Sequence, residues 1–127
     1  MKSPLFLIDG YAVEVFWTVC DLESHLEPPE VHTQTDYLIC DAEGRRVWFD
    51  VVVDRECFGL WTTERVEFRE AEDLPKHKEE LHAALLGILT KIDSANAEAS
   101  RSASLDQLVE MCIQRLDQEC IHGEPDK

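Results

Sequence analysis

Short apolar runs separated by turn residues fill residues 36–70. The runs YLIC, RVWFDVVV, CFGLW and RVEFR are rich in β-branched and aromatic residues, and DAEGR, DRE and TTE lie between them. This pattern is typical of antiparallel strands joined by tight turns. It predicts a β-meander, in which residues 37–40 pair with residues 46–53 through a turn at residues 41–45.

Residues on the two faces of the predicted strand 46–53 differ in character. Successive side chains of a strand point to opposite sides. The side predicted to face the core holds Val47, Phe49, Val51 and Val53. If helices cover that side, the other side exposes Phe16, Trp48 and Val52 within a charged rim, which is how protein interfaces are built. The alternative is that residues 21–35 fold over Trp48 and make it part of the core.

The N-terminal third predicts a second hairpin followed by a loop. Residues 5–8 form an apolar run, Asp9-Gly10 is a strong two-residue turn signal, and residues 11–20 alternate as a strand. Pro28-Pro29 cannot lie inside a paired strand, so residues 21–35 are predicted to be a long loop.

Two helices are predicted near the C-terminus. The first begins around residues 73–75, and the second begins at a capping box formed by Ser104 and Gln107 and runs to about Ile121. The first has an apolar stripe of Leu81, Ala84, Leu85, Ile88, Leu89 and Ile92. The predicted fold class is α+β: one domain over residues 1–127, with an antiparallel meander of about five to six strands and both C-terminal helices packed on one face.

The charge of the chain is strongly negative and uneven. It holds 27 Asp and Glu against 12 Lys and Arg, a formal net charge of −15, and Lys2 is the one Lys or Arg among residues 1–44. Such a chain repels nucleic acid and anionic membranes, because it has no basic stripe to displace counterions from phosphates. The acids could form a solvated face or, standing in for phosphates, a docking face for a basic protein.

Cysteine usage and hydropathy indicate a cytoplasmic protein. The five cysteines are an odd number without regular spacing, so a disulfide framework is not expected. The apolar run before Asp9 is shorter than the roughly 7–15 residues of a signal-peptide core. No apolar run approaches the roughly 20 residues that a membrane span needs.

No motif for catalysis or metal binding is present. His77 and His82 are five residues apart, so they do not share a helix face. Cys120 and His122 could donate two metal ligands, but the sequence offers no partners at a recognisable spacing. Neither a structural metal, a cofactor nor an enzymatic activity is therefore expected.

These observations favour a small inhibitor that neutralises a basic, nucleic-acid-handling protein or nucleoprotein complex by contact. In physical type, though in no motif, the chain is similar to nuclease immunity proteins and phage inhibitors of bacterial defence. The residues expected to bind the partner are Glu14, Glu23, Glu27, Glu30, Asp36, Asp41, Glu43, Trp48 and Asp50. Two alternatives stay open: an acidic secretion or assembly chaperone and a small enzyme. Homodimerisation also stays open.

Overall fold

Two β-sheets and several helices make up the structure, a computed structural model that describes residues 1–10, 12–56, 61–92, 100–116 and 118–124. The strands are β1 (Leu5–Asp9), β2 (Ala12–Phe16), β3 (Leu38–Cys40), β4 (Val47–Glu56), β5 (Trp61–Ala71) and β6 (Ile121–His122). The helices with described bounds are α1 (Val19–His25), α2 (Pro28–His32), α3 (Lys78–Ile92) and α4 (Leu105–Arg115), with 3₁₀ turns at Gln34–Asp36 and Gln118–Cys120. The fold is mixed α+β, with mostly antiparallel strands.

The larger sheet has the strand order β3-β1-β2-β6. β1 pairs antiparallel with both β2 and β3, whereas β6 pairs parallel with β2 at Val15 and Phe16. The hairpin predicted at the N-terminus is confirmed, but Asp9 is still paired, with Ala12, so the turn begins at Gly10 rather than at Asp9. Gly10 has a φ of 60° there, a left-handed conformation that glycine adopts without strain.

The smaller sheet is a long hairpin of β4 and β5. Its ladder is continuous from Val47 opposite Ala71 to Glu56 opposite Trp61, apart from a register shift at Trp48 and Phe49. It connects to the larger sheet through one bridge between Cys40 and Arg46. The DRE segment, residues 54–56, was predicted to be a turn between two short strands, but it belongs to the long strand β4. Residues 57–60 lie outside the described residues.

The two faces of the larger sheet bury separate cores. On one face, Phe6 and Val15 pack against α3 and α4. The predicted stripe of α3 is confirmed for Leu81, Leu85 and Leu89, which are fully buried there, but not for Ile92 at the end of the helix, which is exposed. Alternate residues of the sheet point to the other face, where a second core forms with α1, α2 and the β4–β5 hairpin.

That second core explains why the predicted meander is wrong. β3 pairs with β1, and it meets the chain that leads into β4 through the Cys40–Arg46 bridge instead of through a full hairpin ladder. The side of the hairpin that holds Val47 and Phe49 packs on α1 and α2 rather than on the C-terminal helices. Phe16, predicted to be exposed beside Trp48, is fully buried in this core. The helices are therefore not all C-terminal, and they cover both faces of the larger sheet.

Residues 12–35 differ most from the sequence prediction. β2 ends at Phe16, because Thr18 and Asp21 form a capping box that starts α1. The predicted loop is instead α1, α2 and a 3₁₀ turn, with Pro28 and Pro29 in the first turn of α2. Proline is tolerated there, since the first N–H groups of a helix have no partner within the helix.

At the C-terminus the capping box of Ser104 and Gln107 is confirmed as the start of α4. The helix ends at Arg115 instead of near Ile121, and β6 follows. Residues 94–104 are rich in Ser and Ala, which predicts a linker between the two helices, and residues 94–99 of this stretch lie outside the described residues. No helix within the described ranges is long and apolar enough to span a membrane.

Candidate functional site

Glu14, His25 and His122 form a cluster at the side of the larger sheet. His25 Nε2 lies 3.2 Å from Glu14 Oε2, and His122 Nε2 lies 3.7 Å from Glu14 Oε1. Each residue offers one ligand atom within 4.8 Å of the others, and within the described residues this is the one such group of three or more His, Cys, Asp or Glu. The Glu14 carboxylate thus lies between two imidazoles.

Phe16 holds the two imidazole rings in place. Its ring stacks on His122 with centroids 4.5 Å apart and an interplanar angle of 12°, and it lies 5.0 Å from the ring of His25. The two imidazole centroids are 4.9 Å apart. Because Phe16 is fully buried, the cluster has a rigid aromatic floor.

Three elements position the cluster. Glu14 lies on β2, His25 is the last residue of α1, and His122 lies on β6. The His122 carbonyl accepts a hydrogen bond of 3.1 Å from the Trp17 N–H. Gly123, with a φ of 84°, lies against the Asp21 side chain, and a Cβ at this position would overlap the Asp21 carboxylate. The capping box of α1 and the chain after β6 therefore meet directly beside the cluster.

One nitrogen of the cluster has no hydrogen-bond partner among the residues that the structure describes. His122 Nε2 is buried from solvent, and its separation from Glu14 is too long for a hydrogen bond. Leaving such a polar atom unsatisfied costs on the order of 1–3 kcal/mol. The cluster as it stands is therefore incomplete, since a lone pair or an N–H of His122 lacks a partner.

A cleft of about 620 Å³ opens beside the cluster. Its apolar walls come from residues such as Leu7, Ile88 and Leu116. Its charged and polar lining is Asp9, Glu14, His25, Glu30, Lys91 and Cys120. Three carboxylates against one ammonium group make the cleft acidic, and its volume is in the range of ligand-binding sites.

The pKa of Tyr37 is raised mainly by burial and, to a smaller extent, by two acids that line this cleft. Burial raises the pKa of Tyr37 to about 12, with further increases from the charges of Glu30 and Asp9 and a smaller opposing effect of Arg46. The Tyr37 hydroxyl donates a hydrogen bond to the Glu30 carbonyl. Asp9 and Glu30, which are 21 residues apart in sequence, therefore act on the same region.

The structure distributes the residues predicted to bind a partner over separate places. Glu14 and Glu30 line the cleft, while Glu27 and Asp36 are exposed on α2 and the 3₁₀ turn that follows it. Glu23 accepts a hydrogen bond of 2.8 Å from the Phe68 N–H and so anchors α1 to β5. The predicted single docking face is thus not assembled from all of these acids.

Asp41 has a structural role that removes it from any docking face. Its side chain is fully buried and accepts hydrogen bonds from the backbone N–H groups of Lys2, Glu43 and Arg45 at 2.8–3.0 Å. Glu43 pairs with Arg45 at 3.1 Å beside it. The carboxylate of Asp41, predicted as a partner contact, is thus buried inside this turn and does not lie on an exposed face.

Trp48 and Asp50 lie on the side of the hairpin that faces away from α1 and α2. The Trp48 ring is partly exposed and lies under the guanidinium groups of Arg46 and Arg69, at 4.3 and 5.7 Å. Asp50 is exposed and pairs with Arg69 at 3.5 Å. Trp48 is therefore not covered by residues 21–35, but basic side chains surround it, and it lies apart from the acids of the cleft.

Comparisons with protein-family models, curated proteins and solved structures found no match. The site must therefore be judged on its own chemistry. Glu14 and Glu30 were predicted as binding residues from charge alone, and no sequence signal indicated their grouping with Asp9, His25 and His122. That grouping depends on the parallel pairing of β6 with β2, which two residues of strand do not reveal in a sequence.

Proposed function

We propose that the protein binds a basic partner by direct contact and neutralises it, with a Lys or Arg side chain of the partner inserted into the cleft. The convergence of Asp9 and Glu30 on one acidic, apolar-walled cleft carries this proposal. The partner class is a nucleic-acid-handling protein or nucleoprotein complex, whose exposed basic surface suits a chain with a net charge of −15.

The lining of the cleft matches the two parts of a long basic side chain. Lys and Arg bury an aliphatic stem while keeping a charged head next to polar groups. Leu7 and Ile88 offer apolar contact for the stem, and the carboxylates of Asp9 and Glu30 offer acceptors for the head. Such charge-assisted hydrogen bonds are stronger than neutral ones.

The remaining acids contribute at longer range. Residues 19–36 carry five Asp and Glu and no Lys or Arg, so the α1–α2 layer has one sign of charge apart from its histidines. A field of this kind speeds the encounter with a basic partner and weakens as salt rises. The rate of binding is therefore expected to depend on salt, whereas contacts in the cleft supply the specificity.

The test uses a fluorescent Arg- and Lys-containing peptide as the probe, with affinity read by anisotropy at low and moderate salt. Asp9→Asn combined with Glu30→Gln keeps acceptor oxygens but removes both charges. The matched control, Glu79→Gln with Glu110→Gln, removes two exposed charges from α3 and α4. We expect the cleft variant to bind about tenfold more weakly than the control, about 1.4 kcal/mol.

Equal losses in the two variants would show that only net charge matters and would reject the cleft as the contact site. No binding of the wild-type protein at low salt would reject the proposed function. Both variants keep Glu14, His25 and His122, so neither result depends on the cluster.

A further inference from the structure

We propose that Glu14, His25 and His122 bind one divalent transition-metal ion of the Zn²⁺ type. The ion would join β2, α1 and β6 at one point. This inference goes beyond the proposed function and does not rest on it, because it concerns the cluster rather than the carboxylates of Asp9 and Glu30. Two imidazoles and one carboxylate are a donor set that zinc and its neighbours in the first transition row accept.

The distances suit a metal ion with little movement. Bonds of about 2.0–2.2 Å in a tetrahedral shell place neighbouring ligand atoms roughly 3.3 Å apart. His25 Nε2 already has such a spacing from Glu14 Oε2, at 3.2 Å, and His122 Nε2 lies 3.7 Å from the other carboxylate oxygen, Oε1. Since the ligand atoms of all three residues lie within 4.8 Å of one another, small side-chain rotations are enough.

The surroundings of Glu14, His25 and His122 favour a bound metal ion over ion pairs among these three side chains. His122 Nε2 is buried and, within the described part of the chain, lacks a hydrogen-bond partner; a metal ion bound to its lone pair would take that place. Phe16 fixes the orientation of both rings, so the ligands are held in place before binding.

Three protein ligands leave one position of a tetrahedral shell for water or another small ligand. Glu14 and His25 line the cleft, whereas His122 is not among its lining residues. The open position is therefore reached from the cleft, and the ion lies at its wall. The side chains of Glu14 and His25 are 33% and 34% exposed and line the cleft, which leaves a path for the ion to enter from that side.

The test is calorimetric titration of EDTA-treated full-length protein with Zn²⁺ and, separately, with Co²⁺. Glu14→Gln, His25→Gln and His122→Gln each remove one ligand, and His32→Gln removes an exposed histidine outside the cluster as the control. We expect one Zn²⁺ per chain, with affinity falling at least about 100-fold in each ligand variant and unchanged in the control. Circular dichroism checks that every variant is folded.

X-ray absorption of the wild-type zinc complex provides a readout that needs no substitution. Two imidazole nitrogens and oxygen ligands are expected in the first shell. Sulfur at about 2.3 Å would overturn the assignment, since it would mean cysteine ligation. No stoichiometric Zn²⁺ binding, or equal binding by the ligand variants and His32→Gln, would overturn it as well.

Discussion

Gly44 lies directly against the first residue of α3. A Cβ at Gly44 would be 2.6 Å from the Lys78 backbone nitrogen and 2.8 Å from its Cα, and the Gly44 carbonyl accepts a hydrogen bond of 3.0 Å from the His77 N–H. Gly44 also has a φ of 90°. The turn after β3 and the start of α3 therefore pack so closely that only a residue without a side chain can occupy position 44 without a clash.

Gly44→Ala is expected to lower the free energy of unfolding by about 3 kcal/mol, because it combines an unfavourable φ with a backbone clash. Urea unfolding followed by circular dichroism measures the change. Gly87→Ala is the matched control: this glycine lies inside α3, and a methyl group there would meet no described atom within 4 Å beyond the adjacent residues and the backbone of its own helix, so stability should rise by about 0.5–1 kcal/mol. Equal stability of the two variants would contradict the close approach at Gly44.

The buried side chain of Asp41 stabilises the same turn, at residues 41–45, by accepting backbone hydrogen bonds. Asp41→Ala removes the acceptor for three backbone N–H groups and leaves them unpaired in a buried place. We expect a loss of about 3 kcal/mol in the same unfolding measurement. Glu43→Gln, which alters a half-exposed ion pair with Arg45, should cost less than about 1 kcal/mol. A small effect of Asp41→Ala would mean that the turn is held mainly by other contacts.

The sequence predicted local elements better than their partners. The stripe of Leu81, Leu85 and Leu89 and the capping box at Ser104 depend on residues within a few positions of each other, and both are confirmed. The pairing of β3 with β1, and the packing of α1 and α2 on the second face, depend on long-range contacts. The periodicity of hydrophobic residues shows which side of an element is buried, but it does not specify which strands pair or which face of a sheet a helix covers.

The candidate site was predictable only in part, for the same reason. Glu14 and Glu30 were identified by charge, but His25 and His122 are 97 positions apart and carry no metal-binding spacing. Thr18 and Asp21 were a usable signal, because a capping box there ends β2 and starts the helix that bears His25. The position of His122 depends on the pairing of β6 with β2, and only the structure shows this pairing.

Buried thiols predict how stability depends on pH. Burial raises the pKa of Cys112 to about 12, and burial together with the charges of Asp41 and Glu80 raises that of Cys40 to about 12. In the unfolded chain a thiol ionises near a pKa of about 8.5. Above that pH the folded state therefore binds more protons, and the free energy of unfolding falls as pH rises toward the folded-state pKa of about 12.

Cys112→Ala should make this decline between about pH 9 and 11 shallower, by at most about 1.4 kcal/mol per pH unit. Cys20→Ser, which changes an exposed thiol, should leave the slope as it is in the wild-type protein. Urea unfolding at a series of pH values gives both slopes. Identical slopes for the wild-type protein and Cys112→Ala would show that the Cys112 thiol is not kept neutral by burial.

Alkylation gives a second consequence of the same burial. Thiolates react with iodoacetamide and thiols do not, so reactivity follows pKa and exposure. At about pH 8 Cys20 should be modified rapidly, whereas Cys40 and Cys112 should react only as the protein unfolds. Site-resolved mass spectrometry over a time course measures each rate, with a urea-unfolded sample as the control. Rapid native-state modification of Cys40 would contradict its burial.

Gln34 joins the 3₁₀ turn to β4 by two hydrogen bonds. Its Nε2 donates to the Phe49 carbonyl at 2.9 Å, and the Phe49 N–H donates to its Oε1 at 3.0 Å, where the β4–β5 register shifts. Gln34→Ala leaves both backbone groups of Phe49 unpaired, so we expect a loss of about 1–3 kcal/mol and faster amide exchange at Phe49. Thr35→Ala, at an exposed position, is the control, and it should change neither the free energy of unfolding nor the amide exchange at Phe49. Unchanged Phe49 exchange in Gln34→Ala would show that β4 does not depend on this side chain.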